Sequence, residues 1–158
     1  MSDKSRTSLM GAGIAAVVLC LAIGPAVHAG SINEIKGLAI QGYDPVAYFT
    51  DGKPVPGSPK ITLRHEKATF RFASAAHRDS FKANPQRFAP AYGGFCAYGM
   101  SQGYKAKIEP EAFTIVDGRL FLNYNLQVRE MWSKDIAGYI EKAEKNWPTV
   151  AKTTKVHR

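Results

Sequence analysis

The sequence predicts an α+β fold: a small antiparallel sheet built from hairpins and packed with several short helices. Three observations predict it. Residues 61–72 read as two alternating apolar runs around a polar turn, and residues 113–122 as two apolar runs flanking Asp117-Gly118. Residues 75–83, 127–134 and 136–147 read as helices, the first from its cap and stop signals and the last from apolar positions at helical spacing. Loops rich in glycine and proline separate these segments, which together make one domain.

The chain opens with Lys4 and Arg6, an apolar run from Leu9 to Ile23, and a Gly24-Pro25 break. Ala26-Val27-His28-Ala29 then offers the small residues that a signal peptidase reads, so residues 1–29 are expected to be a signal peptide cleaved after Ala29. The run is shorter than the roughly 20 residues of a spanning helix, which makes an uncleaved anchor the lesser alternative. The expected location is periplasmic or secreted.

Residues 30–39 show no sustained period and read as an extended lead-in. The domain proper is expected over 40–148. Gly42 and Asp44-Pro45 mark a turn, and residues 46–49 read as a short buried strand. Residues 51–59, with three prolines and two glycines, make a surface loop. In 61–72, Ile61 and Leu63 alternate with polar neighbours, as do Ala68, Phe70 and Phe72, with the turn at His65-Glu66-Lys67. Ser74 is a helix N-cap residue, and Asn84-Pro85 stops that helix. Residues 86–91 read as a short turn or helix.

Residues 88–100 hold three glycines, several aromatics, Cys96 and Met100. Gly93-Gly94 fits a positive φ or a close backbone approach, and one or two helical turns over 95–101 would put Cys96 and Met100 on one face. Asp117-Gly118 between apolar runs favours a type I′ hairpin turn. Ile136, Ile140, Ala143 and Trp147 share a helix face, with Pro148 as the stop. Residues 149–158 read as a disordered basic tail.

The formal charge is +8, of which the leader supplies one net positive. Lysines and arginines are scattered without a basic run, so the charge reads as solubility or weak peripheral attraction to anionic membranes, not nucleic-acid binding. Of the two cysteines, Cys20 lies in the leader, which leaves Cys96 without an intramolecular disulfide partner. Its thiol is a buried structural group, a metal ligand, or a reactive or intermolecular thiol.

No phosphate loop, dinucleotide fingerprint, nucleophile elbow or paired-histidine zinc helix occurs, and the expected class is non-enzymatic. Cys96, His77 and Met100 supply a thiolate, an imidazole and a thioether, the donor set of a soft metal such as copper. Cys96 activated by His77 is a further, lesser alternative. Tyr92, Phe95 and Tyr98 are candidate pocket-lining residues, with burial in the core as the plain alternative. Asp44, Asp79 and Glu109 show no acid–base spacing and read as turn, helix surface and turn.

Gly42-Tyr-Asp-Pro-Val-Ala-Tyr-Phe49, Ala68-Thr-Phe-Arg-Phe-Ala-Ser-Ala-Ala-His77, Asn84-Pro-Gln-Arg-Phe88 and Tyr92-Gly-Gly-Phe-Cys-Ala-Tyr98 together resemble the YHS-domain family, in its exported single-domain branch. The resemblance spans about Ile40 to Trp147. It implies an association with metal handling through cysteines that follow Asp-Pro-Val and recur in a Phe-Cys-Ser-x-x-Cys segment. The corresponding positions here are Ala47, Ala73 and His77, of which only His77 can ligate. A metal site in this chain would be rebuilt from His77, Cys96 and Met100. The alternative is a structural or protein-interaction module with a buried cysteine, whose partner is an unidentified protein.

Overall fold

The computed structural model describes residues 32–158. The expected leader and its cleavage site lie outside the described residues. Among the described residues, no helix is long and apolar enough to cross a membrane.

The segment expected to be an extended lead-in instead folds as a small hairpin. Strands β1 (Glu34–Ile35) and β2 (Leu38–Ala39) pair antiparallel. Lys36 and Gly37 turn between them, both at positive φ, the conformation a type I′ turn requires. Of residues 46–49, expected to be a strand, Val46 is the N-cap and the others belong to a helical turn, α1 (Ala47–Thr50). The reason is Asp44, whose Oδ1 accepts from the backbone N–H groups of Val46 and Ala47 at 2.8 and 3.3 Å. A side-chain acceptor before Pro45 starts a helix, and the apolar run then buries as one turn.

β3 (Ser58–His65) and β4 (Ala68–Phe72) form the expected hairpin, its turn made by Glu66 and Lys67 at positive φ. α2 (Ala75–Ala83) begins where expected, with Ser74 Oγ accepting from His77 N. Asn84 ends α2 and also caps α3 (Pro85–Phe88). α4 (Ala97–Ser101) is followed by β5 (Lys105–Ala106). β6 (Phe113–Val116) and β7 (Arg119–Leu122) join through Asp117-Gly118, again both at positive φ.

Asn125 caps α5 (Leu126–Ser133), and Asp135 caps α6 (Ile136–Val150). Pro148 does not stop α6. The helix runs on because Ala151 N donates to Trp147 O, and Val150 and Ala151 are buried.

The tail expected to be disordered contains β8 (Val156–His157), paired parallel to β5. The main sheet has the order β1-β2-β4-β3, and its β2–β4 pair is parallel. The fold is α+β, but its strands are mixed rather than wholly antiparallel. Both parallel pairs join segments far apart in the chain, which local alternation cannot reveal.

Two apolar clusters form the core. One gathers Tyr48, Phe70, Phe72, Phe81 and Cys96 with Leu120 and Leu122. The other gathers Tyr92, Phe95, Ala97, Met100, Phe121 and Trp132 with the inner face of α6. β7 is the partition between them. Its side chains alternate, so Leu120 and Leu122 enter one cluster and Phe121 the other.

Candidate functional site

The central stretch runs along that partition. Tyr92, Gly93 and Gly94 all adopt positive φ. At Gly94 (φ +82°) a Cβ would lie 2.7 Å from Ile40 Cγ2 and 3.1 Å from Pro90 Cγ, so both readings of this glycine hold. Asn33 clamps the turn, donating its backbone N–H to Gly93 O and its side-chain amide to Gly94 O. The chain is then extended at Phe95 and non-helical at Cys96 (φ −55°, ψ 119°), and Cys96 bridges Leu122 in parallel. Along this non-helical stretch Phe95 and Ala97 face the second cluster and Cys96 the first.

This explains why the expected shared face of Cys96 and Met100 is not formed. Cys96 is the residue that caps α4 rather than a member of it, so the helical period does not relate the two. Met100 is fully buried in the second cluster. Cys96 is a free thiol with 1 % exposure. Its Sγ accepts from Gly99 N at 3.3 Å and lies 3.7 Å from Asn123 Oδ1. Burial pushes the thiol pKa up, against smaller lowering contributions from backbone donors at Gly99, Tyr124 and Tyr98. A nucleophilic cysteine needs the opposite shift.

His77 has other partners. Its Nδ1 lies 2.7 Å from Asp44 Oδ2, and its Nε2 lies 3.4 Å from Thr50 Oγ1. Asp44, with no exposure, also accepts from Ala73 N at 2.8 Å. Asp44 therefore ties the start of α1, the end of β4 and the first turn of α2 into one knot. The imidazole is oriented by this knot and not by Cys96. Among the described residues, no three of His, Cys, Asp and Glu converge to hold a metal ion. The expected Cys96–His77–Met100 set is thus divided among the Asp44 knot and the two core clusters.

The expected aromatic pocket is likewise divided. Tyr92 is buried, its hydroxyl donating to Glu144 Oε1 at 3.2 Å. Tyr98 packs edge-on against Tyr139, with ring centroids 5.2 Å apart. Of the three, Phe95 lines a cavity among the described residues. That cavity is a cleft of about 590 Å³ walled by β1, the β3–β4 turn, β5 and the C-terminal segment. Lys67, Lys105, Lys107 and Arg158 line it. Lys105 is 1 % exposed, and its Nζ donates to the carbonyls of Ala151 and Thr153 and sits 5.1 Å from the Phe95 ring centroid.

Sequence reasoning missed Asp44 as an organising residue, although Asp-Pro ahead of an apolar run is a helix-start signal. Nothing local marks the four cations as neighbours, because they come from three separate segments. No family model, curated protein or solved structure matches the chain.

Proposed function

We propose that the chain is a non-enzymatic binding module of YHS-like type, exported and freed of its leader, in which Cys96 is a structural thiol. The observation that carries this reading is the position of Cys96 Sγ. It is buried at the partition between the two clusters, with Gly99 N as its backbone donor. A small polarizable group that caps a helix within an apolar cluster is a role free cysteine fills well. The copper alternative loses support because His77 is held by Asp44 and Met100 belongs to the other cluster. The thiol-activity alternative loses support because burial raises the thiol pKa.

Titration with Cu(I) against a competing chelator tests the reading on wild type, Cys96→Ala and His77→Ala. Equal and weak binding in all three is expected. Native protein is also expected to resist a small alkylating reagent, with labelling appearing only in denaturant. Tight copper binding lost in both variants would restore the metal site, and rapid labelling of native protein would restore the reactive thiol.

A further inference from the structure

We propose that the cleft between β1, the β3–β4 turn, β5 and the C-terminal segment binds a small amphiphilic anion, a carboxylate or phosphate carried on an apolar body. The inference deepens the binding-module reading by naming a ligand class and a place for it.

Size is the first argument. A volume of about 590 Å³ lies within the roughly 300–1,000 Å³ typical of small-molecule sites. Charge is the second. Four cationic residues line the cleft, and among the described residues that line it Glu34 carries the one acidic side chain. The Glu34 carboxylate already accepts from Gly37 N within the β1–β2 turn. The field inside the concavity is therefore positive, and low-dielectric walls concentrate such a field.

The cations divide the labour. Lys105 sits at the inner end and gives hydrogen bonds to Ala151 O and Thr153 O, so it contributes charge while holding the C-terminal wall in place. A buried ammonium is costly, and carbonyl dipoles and the Phe95 ring offset that cost. Lys67 and Arg158 are exposed at the rim, where a headgroup can meet them.

The lining is also apolar. Ile32, Ile35, Phe95 and Val156 share the cleft, and Ile35 is 44 % exposed on an edge strand. A purely inorganic anion leaves that surface wet, and a purely apolar ligand leaves the cations without a counterpart. An amphiphile satisfies both.

Calorimetric titration of the full chain with octanoate, octyl phosphate, octan-1-ol and inorganic phosphate tests the site. Octanoate or octyl phosphate is expected to bind saturably, more tightly than the neutral alcohol or inorganic phosphate, and less tightly as salt is raised. The Lys67→Gln/Arg158→Gln double variant is expected to weaken anion binding roughly tenfold or more without affecting the alcohol. Ile35→Ser is expected to weaken all the octyl ligands.

Phosphatidylglycerol vesicles separate two sources of the anion. Vesicles that compete with octanoate assign the site to a lipid headgroup, and vesicles that do not compete assign it to a free ligand; either result supports the site. Absence of saturable anion binding would overturn the proposal. So would equal affinity for octanoate and octan-1-ol, or unchanged affinity in the folded double variant. These failures leave the Cys96 results untouched, and a copper site at Cys96 would leave the cleft result untouched.

Discussion

Asp44→Ala probes the knot on which three elements depend. The wild-type carboxylate is fully buried and receives four donors: Val46 N, Ala47 N, Ala73 N and His77 Nδ1. Its removal strands the Val46 and Ala47 N–H groups at buried residues, which costs on the order of 1–3 kcal/mol. Loss of the charged acceptor for Ala73 N adds about 1 kcal/mol, because Ala73 is exposed and water replaces part of the bond. Release of a buried carboxylate returns some desolvation energy. The balance is a loss of roughly 3 kcal/mol, or a fall in Tm of about 10–15 °C for a domain of this size. Thermal and urea unfolding followed by circular dichroism measure it.

His77→Ala is expected to cost no more than about 1 kcal/mol, since the imidazole is partly exposed and Asp44 keeps three donors. The Asp44→Ala/His77→Ala double variant should fall close to Asp44→Ala alone, because the first substitution already removes the partner. A Tm for Asp44→Ala within a few degrees of wild type would refute the claim that this carboxylate organises the three elements. Additivity of the two substitutions would refute the link to His77.

Two further outcomes follow from backbone geometry and from burial. Gly94→Ala is expected to destabilise the domain by roughly 2–4 kcal/mol, from positive-φ strand entry and the close approach of Ile40 and Pro90; an unchanged urea midpoint would contradict this. Alkaline pH is expected to destabilise the fold above about pH 10. Burial, aided by Glu111 for Tyr48 and by Glu144 for Tyr92, raises both hydroxyl pKa values above the ordinary 10.0. The folded state keeps these protons where the unfolded chain releases them, so the tyrosine contribution is present below pH 10 and is lost as pH rises toward the folded values. The buried Cys96 thiol, raised from its ordinary 9.0, acts in the same sense from about pH 9. Lys105, lowered by burial, works in the opposite sense, but only up to its ordinary value of 10.5. Tyr48→Phe should flatten the alkaline loss in a pH series of urea midpoints, and an unchanged slope would argue against the tyrosine origin.

The sequence by itself determined the elements whose signals are local. Ser74 announces α2 through its own side chain, Asp117-Gly118 announces the β6–β7 turn, and the alternation of residues 61–72 announces β3 and β4. These need only neighbouring residues to form, and the α+β class follows from them. Tertiary structure decided the rest. Residues 46–49 are helical because Asp44 turns back onto Val46 and Ala47 while also reaching Ala73 and His77. The tail is ordered because β5, some fifty residues earlier, gives it an edge and Lys105 gives its carbonyls a donor.

The separation of Cys96, His77 and Met100 belongs to the same class of fact. Residue type offered a soft-metal donor set, but direction depends on whether backbone is extended or helical at each position. At Cys96 it is not yet helical, so the helical period does not relate the thiol to Met100 and the two enter different clusters. The cleft was illegible for a related reason. Its charges and apolar walls lie on segments that approach one another only through long-range pairing, and one-dimensional spacing carries no trace of it.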